Sequence, residues 1–176
     1  MLKSRIPTYR SFLIFILIVV AAFVYRQWIY EEEIVLINGN VAQAIDGDSF
    51  RIGKEEFRIY GVDAPEYRQT CKDETGAKWS CGKVARNWLD KVLREEDHSC
   101  VVRARDQFGR LVVLCKSEAG ADLSAKLVAA GLAVSGTNFD EIIYSIQEGE
   151  AQKSKRGIWK GEFSQPSIWR AENPRN

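Results

Sequence analysis

The apolar positions change period several times along the chain, and each change marks an element. From Phe12 to Tyr25 the run "FLIFILIVVAAFVY" is apolar without interruption, which predicts a helix hydrophobic on every side. From Ile34 the pattern becomes short and alternating. "EIVLINGNVAQAID" predicts one strand ending at the turn signal "DGD", and "SFRIG" and "EEFRIYGV" predict two more, separated by a tight Gly53-Lys54 turn. In the third strand alternation sends Phe57 and Ile59 to one face, and Arg58 and Tyr60 to the other. In "SCGKVARNWLDKVLREED" the period lengthens to that of a helix: Val84, Ala85, Trp88, Leu89, Val92 and Leu93 share a face, with Ser80 as N-cap. "CVVRARDQFGRLVVLC" predicts a hairpin turning at "DQFG". "ADLSAKLVAAG" predicts a short helix capped by Asp122 and stopped by Gly131, and "FDEIIYSIQEGEAQKSKRG" a last helix ending at Gly157. The predicted class is α+β: a five-stranded OB-type barrel with about three helices, preceded by a hydrophobic N-terminal helix. Residues 1–30 form the basic, hydrophobic N-terminus and 31–160 the domain. Residues 161–176 form a tail, aromatic and then polar, expected to pack down before fraying.

Composition adds a bound. A chain of 176 residues, 45% hydrophobic and 28% charged, has room for one domain and an appendage. The formal charge of +1 hides an asymmetry. Residues 1–30 carry Lys3, Arg5, Arg10 and Arg26 and no acid, leaving 21 basic against 24 acidic residues in the remainder. A slightly acidic domain excludes a protein that coats nucleic acid by bulk charge, so chemistry on nucleic acid needs locally focused positive charge.

The length of the N-terminal run fits both a signal-peptide core and a short membrane span. Cleavage finds small residues at Ala21 and Ala22, whereas a retained single-span anchor finds Arg26 to snorkel and Trp28 and Tyr30 for the interface. Either reading places the domain on the exported side, periplasmic or extracellular: tethered in one case, secreted in the other. The cysteines agree. Cys71, Cys81, Cys100 and Cys115 form no C-x-x-C, and a lone His98, read as a solvent-facing helix-end residue, leaves zinc weakly supported. Disulfides suit an exported chain. Folding the hairpin symmetrically sets Arg105 opposite Arg110 and Cys100 opposite Cys115, roughly 4.5–5.5 Å apart at Cα, within disulfide reach. Cys71–Cys81 then closes the loop "CKDETGAKWSC", a constraint of roughly 2–3 kcal/mol.

The candidate chemistry lies in short polar stretches, each with a plain structural alternative. "DGD" at 46–48 is a common hairpin turn, and "DAPE" at 63–66 a common loop exit with Pro65 setting the turn. "FGR" at 108–110 suits a hairpin bend, Arg58 a surface charge, and the basic run 153–156 the positive complement of a helix dipole. Together they fit phosphodiester cleavage, which needs a cation on phosphate oxygens, an activated water and donors for developing charge. Asp48 and Asp63 are hard oxygen donors for Ca²⁺ or Mg²⁺, Arg58 and Arg110 planar forks for phosphate, and Glu66 a group to orient or deprotonate water.

"VAQAIDGDSFRIGKEEFRIYGVDAPE", "DQFGR", "KLVAAGLA", "EAQKSKRGIW" and a closing "WR" resemble the thermonuclease family, the staphylococcal-nuclease-like domains, over roughly Ile34 to Arg170. The resemblance implies Ca²⁺-dependent cleavage of DNA and RNA that leaves a 3′-phosphate. It implies calcium on the Asp48 and Asp63 carboxylates and the Ala64 backbone carbonyl, with Arg58, Glu66 and Arg110 acting on the scissile phosphate. The type enzyme has threonine where this chain has Ala64, a change the backbone ligand tolerates. It has a tyrosine and a lysine where Phe108 and Gln107 stand, and two pocket tyrosines where Thr137 and Phe139 are read. Phe108 keeps a ring for substrate binding but loses a hydroxyl donor. Since a stacking platform is worth about 1–3 kcal/mol per base, weaker or differently placed substrate binding is expected, with the chemistry intact. The cysteine pairs and the "TGAKWSCG" loop resemble an exported bacterial branch, expected to be monomeric. Two rivals remain: a non-catalytic nucleic-acid-binding module and a structural role in the envelope. Retention of all five side chains argues against the first, and the lack of a clear partner helix against the second.

Overall fold

The computed structural model describes residues 9–29, 32–39, 41–136 and 143–174. The chain divides into two compact units between Glu33 and Ile34. The first contains helix α1 (Tyr9–Ile29), whose side chains are described as far as Tyr25 and are exposed. Among the described residues no helix is long and apolar enough to cross a membrane. The run Phe12 to Tyr25 rises about 21 Å at 1.5 Å per residue, against the roughly 30 Å of a hydrocarbon core. The side chains on which the anchor reading leans, Arg26, Trp28 and Tyr30, lie outside those described.

The second unit runs β1 (Ile34–Ile37), β2 (Ala42–Ala44), β3 (Ser49–Ile52), β4 (Glu55–Ile59), β5 (Val62–Asp63), β6 (Cys71–Lys72), β7 (Lys78–Trp79) and α2 (Cys81–Glu95). It continues with β8 (His98–Arg105), β9 (Leu111–Ser117), α3 (Leu123–Ala129), β10 (Val134–Ser135), α4 (Ser145–Lys153), a 3-10 turn (Gly157–Lys160) and α5 (Pro166–Glu172). One six-stranded sheet, in the order β1-β8-β9-β4-β3-β2, curls into a half-barrel, and β5–β10 and β6–β7 form small ladders of their own. The class is α+β, as expected, but the sheet is open. β1 and β2 are its two edges, because the first predicted strand is really two. The chain breaks after Ile37, where a Cβ at Gly39 would lie 2.3 Å from the Arg94 carbonyl oxygen. The chain therefore turns against the end of α2, and its halves pair with β8 and β3 respectively.

Burial follows the alternation. Phe50 and Phe57 face each other across β3 and β4 and stack with centroids 5.0 Å apart, while Arg58 is turned to the opposite face. Helix α2 buries Ala85, Leu89, Val92 and Leu93 as expected, but Cys81 and Gly82 take the place of Val84, which is exposed. Ser80 stands at the N-cap position without a capping side-chain bond. Asp122 does cap α3, accepting from the Ser124 and Ala125 amides. The β8–β9 hairpin sets Cys100 opposite Cys115, but a bulge between Val102 and Ala104 shifts the register. Arg105 faces Leu111 instead of Arg110, and Arg110 falls opposite Asp106, whose amide donates to its carbonyl at 2.9 Å. The tail carries an unpredicted short helix, α5, begun by the buried Pro166.

His98 is no surface residue. It opens β8 opposite Ile37 and Ser117 and is 3% exposed. Burial lowers its pKa, and Lys126 lowers it further, while Glu96 and Asp97 pull it upward. The unfolded chain therefore takes up a proton below about pH 6.5 that the fold resists, so stability is lost as pH falls from there toward the folded pKa. His98→Leu is expected to flatten the urea midpoint between pH 7.5 and 5 relative to the parent. The slope removed is at most about 1.4 kcal/mol per pH unit.

Candidate functional site

The polar residues read from the sequence gather at one end of the half-barrel. Between β2 and β3 the "DGD" stretch is a turn, closed by the Ile45 amide donating to the Ser49 carbonyl at 2.8 Å. Asp46 Oδ1 accepts from the Asp48 amide and the Ser49 hydroxyl, which fixes the bend. Gly47 lets it press inward, since a Cβ there would lie 2.7 Å from the Cβ atoms of both Ala64 and Ala85. Asp48 is consequently buried. Its Oδ2 accepts from the Ala64 amide at 2.9 Å and its Oδ1 from Arg58 Nη1 at 3.1 Å. Desolvation raises the Asp48 pKa to about 8, outweighing the opposing pull of Arg58.

Arg58 ties the two aspartates together. From β4 its Nη1 reaches Asp48, and its Nη2 donates to Asp63 Oδ1 at 3.0 Å and to the Val62 carbonyl at 3.3 Å. Its own pKa is raised, first by Asp48. Asp63 ends β5, and the chain then passes through Ala64 and Pro65 to Glu66. Gln69, fully buried, clamps that turn: its amide donates to the Glu66 carbonyl at 2.7 Å and its Oε1 accepts from the Glu66 amide at 3.2 Å. Glu66 also rests on α2, where a Cβ at Gly82 would lie 1.8 Å from its carbonyl oxygen. The Cys71–Cys81 disulfide, Cα atoms 5.7 Å apart, joins this loop to the start of the same helix. The second disulfide joins Cys100 and Cys115. Both are consistent with an exported protein.

Arg110 lines a cavity of about 840 Å³ together with Arg58, Glu66 and Phe108. Its Nε donates to Asp106 Oδ2 at 2.8 Å, the contact produced by the bulge, and Asp106 Oδ1 accepts the Phe108 and Arg110 amides. Phe108 is 74% exposed, with the Arg110 guanidinium 5.5 Å from its ring centroid. Thr137 and Phe139 lie outside the described residues.

The sequence reading missed Gln69, Gly82 and, above all, Arg170. From α5, Arg170 forks onto Asp63, Nη1 to Oδ1 at 2.8 Å and Nη2 to Oδ2 at 3.0 Å, and reaches Glu66 Oε1 from Nη1 at 3.1 Å. Its pKa is raised, first by the bonds to Asp63.

For a calcium ion the donors fit in kind, since carboxylate and carbonyl oxygens are hard ligands. They do not stand as a ready cage. Among the described residues no three acidic, histidine or cysteine side chains group so as to hold a metal, and both Asp63 oxygens accept from Arg170.

A curled α+β half-barrel with carboxylates and arginines interleaved at its mouth defines the class. The chain belongs to the family described as "Staphylococcal nuclease homologue", which matches residues 56–161. It is 34% identical over 122 residues to "Succinoglycan biosynthesis protein ExoI" of Rhizobium meliloti (strain 1021), covering 69% of this chain and 64% of that one. It is 29% identical over 136 residues to "Endonuclease YhcR" of Bacillus subtilis (strain 168), covering 69% of this chain and 11% of that protein. It is 31% identical over 113 residues to "Probable endonuclease LCL3" of Eremothecium gossypii, covering 58% and 40%. The chain thus spans less than two thirds of each of these relatives.

Proposed function

We propose that this chain is a metal-dependent nuclease that hydrolyses phosphodiester bonds of DNA, RNA or both. The observation that carries the reading is the Asp48–Arg58–Asp63 chain of charge-assisted bonds, whose central Arg58 lines one cavity together with Glu66, Arg110 and Phe108. Family membership and two relatives with endonuclease names support it. Asp48, Asp63 and the Ala64 carbonyl would hold calcium, which supplies positive charge for the phosphate oxygens. Glu66 takes a proton from water as the water oxygen bonds to phosphorus. The bond to the 5′-oxygen breaks, that oxygen leaves with a solvent proton, and a 3′-phosphate remains. Arg58 and Arg110 hold the charge that builds on the phosphoryl oxygens. The exposed ring of Phe108 offers a base a stacking face. The protein acts as a monomer on the exported side, tethered by α1 or released from it.

The test is cleavage of single-stranded DNA by the full chain, disulfides formed, with calcium, with EDTA and as Glu66→Gln. Calcium-dependent cleavage that falls by roughly 10²-fold or more in Glu66→Gln is expected. A folded protein that binds DNA and leaves it intact would instead make this a binding module.

A further inference from the structure

Helix α5 lies beyond the family match, and it brings one side chain into the acidic site. The segment leading to it is built into the fold. The Lys72 amide donates to the Glu162 carbonyl at 2.8 Å, and Gln69 Nε2 donates to the Ser164 carbonyl at 2.7 Å. At Gly161 the backbone approaches so closely that a Cβ would lie 2.4 Å from the Asp73 carbonyl oxygen. Gln69 therefore holds both the Glu66 turn and the arm that carries Arg170. The arm ends with Trp169 and Arg170 on the wall of the same cavity as Arg58 and Arg110.

Building on the nuclease reading, we propose that Arg170 is an internal cation that satisfies Asp63 and Glu66 and competes with a divalent metal ion for Asp63. The contacts are specific. A guanidinium that takes both Asp63 oxygens and one Glu66 oxygen has matched its planar fork to two carboxylates from one turn. Metal ligation needs lone pairs on the Asp63 oxygens that this fork occupies. A divalent cation seated within a few ångströms of the guanidinium would also repel it strongly in a site this sheltered. The two cations therefore bind in opposition, and by linkage each weakens the other by the same factor. Displaced, Arg170 would still line the cavity that Arg58 and Arg110 also line, where its fork can meet a substrate phosphate. It is thus a positioning residue for Asp63 and Glu66 before metal arrives, and a phosphate ligand afterwards.

Calorimetric titration of calcium into the full chain, as parent, Arg170→Met and Arg170→Lys, tests this directly. Arg170→Met is expected to bind calcium roughly tenfold or more tightly than the parent, the factor that loss of charge-assisted hydrogen bonds implies. Arg170→Lys should fall between them, since it keeps the charge without the fork. In EDTA the Met variant should melt below the parent, and saturating calcium should raise its Tm by more. A merely structural arginine predicts the lower Tm with unchanged calcium affinity, and that result overturns the proposal while leaving the nuclease reading intact. No calcium binding in any of the three proteins, with cleavage persisting in EDTA, would overturn the metal reading itself and this inference with it.

Discussion

Gly82→Ala is expected to abolish most cleavage while removing no side chain of the site. Its new Cβ would lie 1.8 Å from the Glu66 carbonyl oxygen and 2.6 Å from the carbonyl carbon, both backbone atoms that cannot rotate away. Either the first turn of α2 or the Glu66 turn must shift, and the Cys71–Cys81 bridge and Gln69 resist separation of the two. A displacement of about 1 Å in a positioned catalytic group costs on the order of 10²-fold in rate, and the overpacking itself costs about 1–3 kcal/mol. Gly149→Ala is the matched control. It lies within α4 with nothing near its Cβ position, so the same methyl should leave cleavage unchanged and add about 0.5–1 kcal/mol. Kinetics on DNA and urea unfolding of both variants separate the effects. Equal cleavage by the two would show that the α2 contact does not position Glu66.

Arg58→Met should be the most damaging single change to stability and activity together. Asp48 is buried, and without Arg58 its remaining partner for charge is the Ala64 amide. Losing Arg58 removes the charge that opposes desolvation of Asp48, so the carboxyl takes up a proton or stays charged without a counterion, either at a cost of up to about 3–5 kcal/mol. Cleavage should fall by roughly 10²–10³-fold with the loss of a preorganised donor for the phosphate. Arg58→Lys tests whether charge alone suffices. One ammonium cannot hold Asp48 through one nitrogen and Asp63 through another, so it should recover part of the stability and little of the activity. Adding Asp48→Asn to Arg58→Met should restore stability without cleavage. If Arg58→Met unfolds at the parental urea midpoint, Asp48 does not depend on the pair.

These effects show which parts of the molecule the sequence could disclose. Phe57, Arg58 and Ile59 were legible because a strand has period two and one buried face, so alternation assigns each side chain a side. The Cys100–Cys115 pair followed from hairpin symmetry near the strand ends. The same symmetry failed at Arg105, because a one-residue bulge shifts everything on the turn side of it and carries no hydrophobic signature. The division of Ile34 to Ala44 into two edges was hidden for a related reason: the Gly39 break serves a contact with Arg94, distant in sequence. His98 was misplaced because helix-end polarity describes a neighbourhood and not the neighbour that covers it. In the site, Asp48, Asp63 and Glu66 come from one continuous stretch and could be read as a motif. Arg170 stood only within the closing "WR" with no role assigned, since it joins them from over a hundred residues downstream and neither spacing nor periodicity spans that distance.

That separation also bears on the order of assembly. A chain made from its amino end contains Asp48, Arg58, Asp63 and Glu66 about a hundred residues before α5 is synthesised, and β9 and β10, which pair with β4 and β5, come between. Until residue 170 emerges, this carboxylate cluster lacks the guanidinium that bridges Asp63 and Glu66. During synthesis there is therefore a stage at which Asp63 and Glu66 are made and Arg170 is not, and their hydrogen bonding is completed only once α5 follows.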